Sequence, residues 1–179
     1  SVANETPHGA PRLEFLKKLI AKTREMDPTR LVSAAMEKDN IDAVTVTVND
    51  TVFIFDADTT EEFRSKAIAH YFNQYVGWYD GSSEKCDLMN WVFDVKKPVF
   101  ISEFGGGAVY GRHGDVSERF TEEYQEDLYR RSVEMLDRIS GLAGTTPWIL
   151  KDFRSPRRQL VGIQDDFNRK GLISDQGGK

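Results

Sequence analysis

Apolar and polar positions change rhythm several times along the chain. In residues 11–26, PRLEFLKKLIAKTREM, Leu13, Leu16, Leu19 and Ile20 share one face at helical spacing while Lys and Arg fill the other. Pro11 suits a first turn and Asp27-Pro28 closes the segment, so a helix is predicted there. LVSAAM (31–36) is a short apolar run and predicts a buried strand. From Asp39 to Lys66 the pattern is mixed: VTVTV alternates, VFIFDAD is strand-like and TTEEFRSKA has the character of a helical turn or two. That section is expected to be an irregular excursion. AHYFNQYVGWYDG (69–81) predicts an aromatic-rich strand entering a loop, KCDLMNWVFDV a helix and PVFISEF a further strand.

A glycine-rich loop, residues 105–114, precedes the strongest helical signal, SERFTEEYQEDLYRRSVEMLDRI, where Ser117 and Thr121 both offer N-cap chemistry. Gly141 and Gly144 are expected to end that helix, and TPWILKDF to form another strand before a polar, loop-like tail. Strands alternating with helices predict an α/β fold with a parallel sheet.

Composition narrows the function classes. The 179 residues are enough for one domain with a real core, and 39% apolar with 30% charged residues is a globular balance. The net charge of -5 argues against nucleic acid or an anionic membrane surface as the main partner. No stretch approaches the roughly 20 apolar residues of a membrane helix. Cys86 stands alone, which excludes an intrachain disulfide and a thiolate cluster, and the three histidines (His8, His70, His113) are scattered. No metal and no cofactor is predicted. Ser1 reads as mid-domain sequence, so the compartment is left open.

In parallel α/β folds the C-terminal ends of strands face the active site. Glu5, Asn73, Tyr75, Glu103, Trp148 and Asp152 all fall at predicted strand ends. Two such carboxylates suit glycoside hydrolysis, where one protonates the leaving oxygen and the other attacks the sugar. Glu5 and Glu103 are so far apart in sequence that only a fold can bring them together. GGGAVYGRHGD lacks the Gly-Lys-Ser/Thr ending of a phosphate loop. Asn49-Asp50-Thr51 fits a glycosylation sequon, relevant only in a secretory context.

SVANE, FNQYVGWY, PVFISEFG and PWILKDF, in that order, resemble the catalytic barrel of glycoside hydrolase family 2, which includes β-glucuronidases, β-galactosidases and β-mannosidases. The resemblance runs over nearly the whole chain and is weakest from Asp39 to Lys66. It implies Glu5 as general acid/base and Glu103 as nucleophile of a retaining mechanism. Consumption of the Glu103 charge in the glycosyl ester then lets Glu5 act as a base toward water. It further implies Asn4 on the sugar 2-hydroxyl, Tyr75 and Tyr79 lining the site, and Trp148 as an aromatic wall. The bland alternatives are a chain turn for Asn4, ordinary packing for the aromatics and a structural hydrogen-bond acceptor for Asp152.

FNRKG (167–171) places Asn168 and Lys170 in an N-x-K arrangement similar to the one with which β-glucuronidases grip the sugar carboxylate; the alternative is a solvated charged turn. Arg154, Arg157 and Arg158 just upstream are expected to pair with surface acids or add positive potential at the rim. The expected partner is a carbohydrate, a β-glucuronide first and a β-galactoside second.

A complete (β/α)8 barrel takes about 250 residues. By the resemblance, residues 1–179 form one incomplete domain, a partial (β/α)8 TIM barrel of roughly strands 4–8 without the first half or final helix. The tryptophan that usually precedes S-x-x-N-E in the family is absent. The missing N-terminal half or a second copy is expected as partner, because an open half-barrel exposes strand edges. Alone, the chain is expected to be a weak or inactive enzyme. The remaining alternatives are a non-catalytic carbohydrate-binding fragment and a packing-only remnant.

Overall fold

The structure is a computed structural model, and it describes residues 1–5, 10–30, 32–33, 35–37, 45–48, 52–53, 70–93 and 98–179. The predicted helix TTEEFRSKA lies outside the described residues. Helix α1 (Ala10–Met26) forms where the 3.6-residue pattern predicts it. It buries Leu16 and Ile20 and leaves Phe15 exposed.

The central sheet is parallel. Residues 2–5 lie beside 33–37: Val2 N donates to Ser33 O at 2.7 Å, Ala35 N to Ala3 O at 2.9 Å and Glu5 N to Ala35 O at 3.1 Å. Strand β1 (Met36–Glu37) continues into β4 (His70–Asn73), β4 into β6 (Val99–Glu103) and β6 into β7 (Leu142–Thr145). Strand β3 (Val52–Phe53) pairs antiparallel with β4. Strand β2 (Thr45–Val48) pairs in parallel with β5 (Asn90–Phe93), outside this sheet.

Three expectations need correction. KCDLMNWVFDV is not one helix: α2 (Lys85–Leu88) stops at Met89, which turns extended, and Asn90–Phe93 becomes β5. Aromatic and β-branched residues in NWVF favour a strand once a partner, β2, is alongside. The last strand of the parallel sheet is Leu142–Thr145, not TPWILKDF. Gly144 therefore sits inside β7, and only Gly141 follows the end of the long helix. Ile149 to Asp152 instead zips onto 170–173: Ile149 N donates to Lys170 O at 3.0 Å, Ile173 N to Leu150 O at 2.9 Å and Asp152 N to Ile173 O at 2.9 Å. Beyond it, β8 (Phe153–Arg154) pairs antiparallel with β9 (Phe167–Asn168).

Helix α3 (Glu122–Asp137) is capped by Thr121, whose hydroxyl accepts from Tyr124 N at 3.1 Å. Ser117, the other predicted cap, closes a turn on Asp115 instead. Tyr124, Leu128, Met135 and Leu136 form the buried stripe of α3 and join Val99 and Ile101 of β6, with Cys86, Met89 and Trp91, in one core. That packing fixes β6, and with it the strand end that carries Glu103.

Candidate active site

Glu5 ends the first parallel segment with a left-handed backbone (φ +47°), a conformation rare outside glycine and concentrated at functional sites. Asn73 ends β4 and is buried; Glu103 ends β6 and is Asn73's register partner. The Asn73 carboxamide nitrogen donates to Glu5 Oε1 at 2.8 Å and Asn4 Oδ1 at 3.1 Å, while Ser102 Oγ donates to Asn73 Oδ1 at 2.6 Å. Tyr75 donates its hydroxyl to Glu103 Oε2 at 2.7 Å. Three strand ends thus bring Asn4, Glu5, Asn73, Tyr75 and Glu103 together.

Electrostatics follow from this packing. Burial pushes the Glu103 carboxyl above its usual range, and the Glu5 charge pushes the same way; hydrogen bonds from Tyr75 and Asn73 and the Lys170 charge oppose the rise without cancelling it. Burial, together with the bond to Glu103, holds the Tyr75 phenol far above its ordinary value. Tyr75 is therefore a fixed proton donor to Glu103.

A second group adjoins through Tyr75. Tyr75 and Tyr79 meet edge-to-face with centroids 5.2 Å apart. The Lys170 ammonium is buried among rings, 4.5 Å from the Tyr79 centroid, 5.1 Å from Tyr75 and 5.8 Å from Trp78. It donates to the Tyr79 oxygen at 2.5 Å, and Arg158 donates to the same oxygen at 3.1 Å. Among the described residues no carboxylate lies within ion-pair distance of Lys170. Burial lowers the Lys170 pKa, the Tyr79 bond resisting. Burial alone pushes the Tyr79 phenol up, but Lys170 and Arg158 outweigh it and hold the group below its ordinary value.

Asn168 is buried, and its carboxamide oxygen accepts from Lys170 N at 3.1 Å, which shapes the turn that presents Lys170. Trp148 is half-buried; its backbone N donates to Phe104 O at 2.9 Å, at the strand end that carries Glu103. Its indole packs edge-to-face on Phe153, and the Trp148–Ile149 peptide is cis. Asp152 is a buried acceptor, holding Gly171 N at 2.7 Å and Lys179 Nζ at 2.9 Å. Of the upstream arginines, Arg154 reaches Asp166 at 4.0 Å. Arg158 instead faces Tyr79.

Asn73 is named on sequence only as a strand end and Arg158 only as one of three rim arginines; neither is given a part in binding or catalysis there. The signal for Asn73 lay in its place before QY in FNQY, at the end of β4; the arginine cluster pointed to the rim, but nothing local ties Arg158 in particular to Tyr79. Among the described residues no group of three or more His, Cys, Asp or Glu converges to hold a metal ion. A separate cleft walled by His113, Glu122, Glu123 and Tyr129 reaches Lys179, the partner of Asp152, but contains none of Glu5, Glu103 and Lys170.

The model of the family described as Glycosyl hydrolases family 2, TIM barrel domain, matches residues 1–175. A beta-glucuronidase of Canis lupus familiaris is 32% identical over 190 residues, covering 98% of this chain and 26% of that protein. A beta-glucuronidase of Paenibacillus borealis is 34% identical over 112 residues, 58% of this chain and 18% of the relative. The chain therefore spans about a quarter or less of the length of these curated relatives. Among solved structures, the beta-D-glucuronidase of Dictyoglomus thermophilum superposes with a TM-score of 0.64 at 25% identity, covering 98% of this chain and 28% of that one. A family 2 beta-galacturonidase of Eisenbergiella tayi bound to galacturonate gives a TM-score of 0.67 at 19% identity, over 98% of this chain and 29% of that one.

Proposed function

The chain belongs to glycosyl hydrolase family 2, and from that premise we propose that it carries the catalytic strand ends of a retaining β-glycosidase whose substrate is a β-glucuronide. Glu5 protonates the leaving oxygen; Glu103 attacks the anomeric carbon and forms a glycosyl ester, which water then cleaves with Glu5 as base. Retention asks for carboxyl groups roughly 5–5.5 Å apart across the sugar. The observation that supports this most is the placing of both acids around Asn73, whose buried carboxamide donates to Glu5 at 2.8 Å and whose strand position pairs in register with Glu103. Tyr75 orients Glu103 for attack, and Asn4 is the partner of the sugar 2-hydroxyl.

Lys170 binds the sugar carboxylate, with Asn168 shaping its turn, Tyr79 beside it and Trp148 forming the aromatic wall. A buried cation with no carboxylate at ion-pair distance among the described residues is a receptive site for one. The parallel segments 2–5, β1, β4, β6 and β7 correspond to strands four to eight of an eight-stranded barrel. Its first strands come from an N-terminal half or a second copy.

A β-galactosidase-like enzyme for neutral sugars is the second reading, favoured by the bond that Lys170 already makes to the Tyr79 oxygen. A saccharide-binding fragment without turnover is favoured by the open outer edges of the sheet. The deciding experiment is a 2-fluoro-glucuronide trap on the chain, with and without the front half of a family barrel. Covalent mass on Glu103 is the expected result; label on another residue, or none even in the completed barrel, refutes the nucleophile assignment.

A further inference from the structure

The peptide groups on both sides of Lys170 are gripped by a pair of charged residues far from the two acids in sequence. On one side, Arg169 O accepts from Ala108 N at 2.9 Å and Lys179 Nζ at 2.9 Å. On the other, Gly171 N donates to Asp152 Oδ1 at 2.7 Å, and Gly171 O accepts from Lys179 Nζ at 2.8 Å and Gln125 Nε2 at 3.1 Å. Lys179 Nζ also donates to Asp152 Oδ1 at 2.9 Å, and the two side chains are 3% and 0% exposed. Arg169 stands 3.5 Å from the other Asp152 oxygen.

Gly171 admits this approach because it has no side chain: a Cβ there would lie 2.2 Å from Asp152 N and 2.6 Å from Asp152 Oδ1. The backbone of the same segment is zipped to Ile149 and Leu150, directly after Trp148. An ion pair this buried is costly unless hydrogen bonds satisfy it. Asp152 Oδ1 and Lys179 Nζ direct theirs to the backbone of residues 169 and 171, and Asp152 Oδ2 has no hydrogen-bond partner among the described residues, with Arg169 at 3.5 Å.

From this geometry we propose that Asp152 and Lys179 form a clamp that positions the Lys170 ammonium against Tyr79 in the candidate sugar site. For the ligand, it rests on the reading of Lys170 as the cation for a hexuronate carboxylate. Asp152 and Lys179 are positioning residues that act through the 169–171 backbone, without touching the sugar. Opening the clamp lets Lys170 withdraw from the Tyr79 oxygen while Arg158 stays.

Two readouts on the chain test this. The first is the spectrophotometric titration of tyrosine, in which the Tyr79 phenol, held below its ordinary value by Lys170 and Arg158, is identified by its loss in Tyr79→Phe. Asp152→Ala and Lys179→Met should each raise that midpoint. The second is saturation-transfer NMR with D-glucuronate and D-glucose. The same variants should weaken glucuronate roughly tenfold, the scale of one charged hydrogen bond, and leave glucose unchanged.

Variants that stay folded by circular dichroism and keep the Tyr79 midpoint overturn the clamp. If Asp152→Ala does not fold, Lys179→Met decides alone. A raised midpoint in a chain whose wild type binds glucuronate no better than glucose sustains the clamp and removes the acid-sugar reading.

Discussion

Glu103 stands under opposing demands. In the proposed role of nucleophile it must be ionised, yet burial and the nearby Glu5 charge favour its neutral form, and Tyr75, Asn73 and Lys170 only partly restore the anion. The acidic limb of kcat/KM is therefore expected above the usual carboxylate range, and Tyr75→Phe, which removes a bond that lowers Glu103, should move it to still higher pH. A pH profile of both proteins, each completed with the first strands of a family barrel, checks this. The linked effect on stability has a definite sign. A carboxyl raised in the folded state favours folding below the ordinary glutamate range, and that contribution is lost as pH rises through the raised value. Denaturant melts of Glu103→Gln across this window should lack the decline seen in wild type. Lys170→Ala is expected to cost about 2–3 kcal/mol of kcat/KM on glucuronides and much less on matching glucosides. Equal losses on both favour the neutral-sugar reading.

Among the elements, α3 and the glycine loop before it do most to hold the site. Thr121→Ala removes the N-cap acceptor of α3 and should cost about 1 kcal/mol in a chemical melt. Gly105 follows the Glu103 strand with φ +121°, and a Cβ there would lie 2.2 Å from the Tyr129 oxygen. Gly105→Ala should destabilise the chain strongly. Adding Tyr129→Phe should recover only part of the loss, because it relieves the contact and leaves the backbone strained; thermal melts of the single and double variants measure this. Long periodic helices were legible at this scale because their apolar stripe is a local pattern. The split of KCDLMNWVFDV into α2 and β5 was not, because a strand there depends on β2, about forty residues away.

At the scale of the molecule, the parallel sheet has two outer members among the described residues, segment 2–5 and β7, each with one neighbour in the sheet. Unpaired edges recruit further strands. The chain alone is expected to show little turnover and to self-associate in light scattering. Supplying the first strands of a family barrel should bring monodisperse behaviour and activity together. Full turnover by a monomeric chain would show that the open edges are tolerated.

Sequence by itself determined the α/β class, the course of α1 and α3, and the two carboxylates at strand ends, because periodicity and strand-end polarity are written within a few residues. The parallel order of the segments follows from their alternation with helices, which short local patterns also carry. Only tertiary structure decided that Asn73 spans Asn4 and Glu5 and that β7 lies before Trp148. It alone set Lys170 in an aromatic cage with Arg158 on the same phenol oxygen. Those contacts join residues dozens of positions apart, and their existence depends on register, burial and packing that no local pattern encodes.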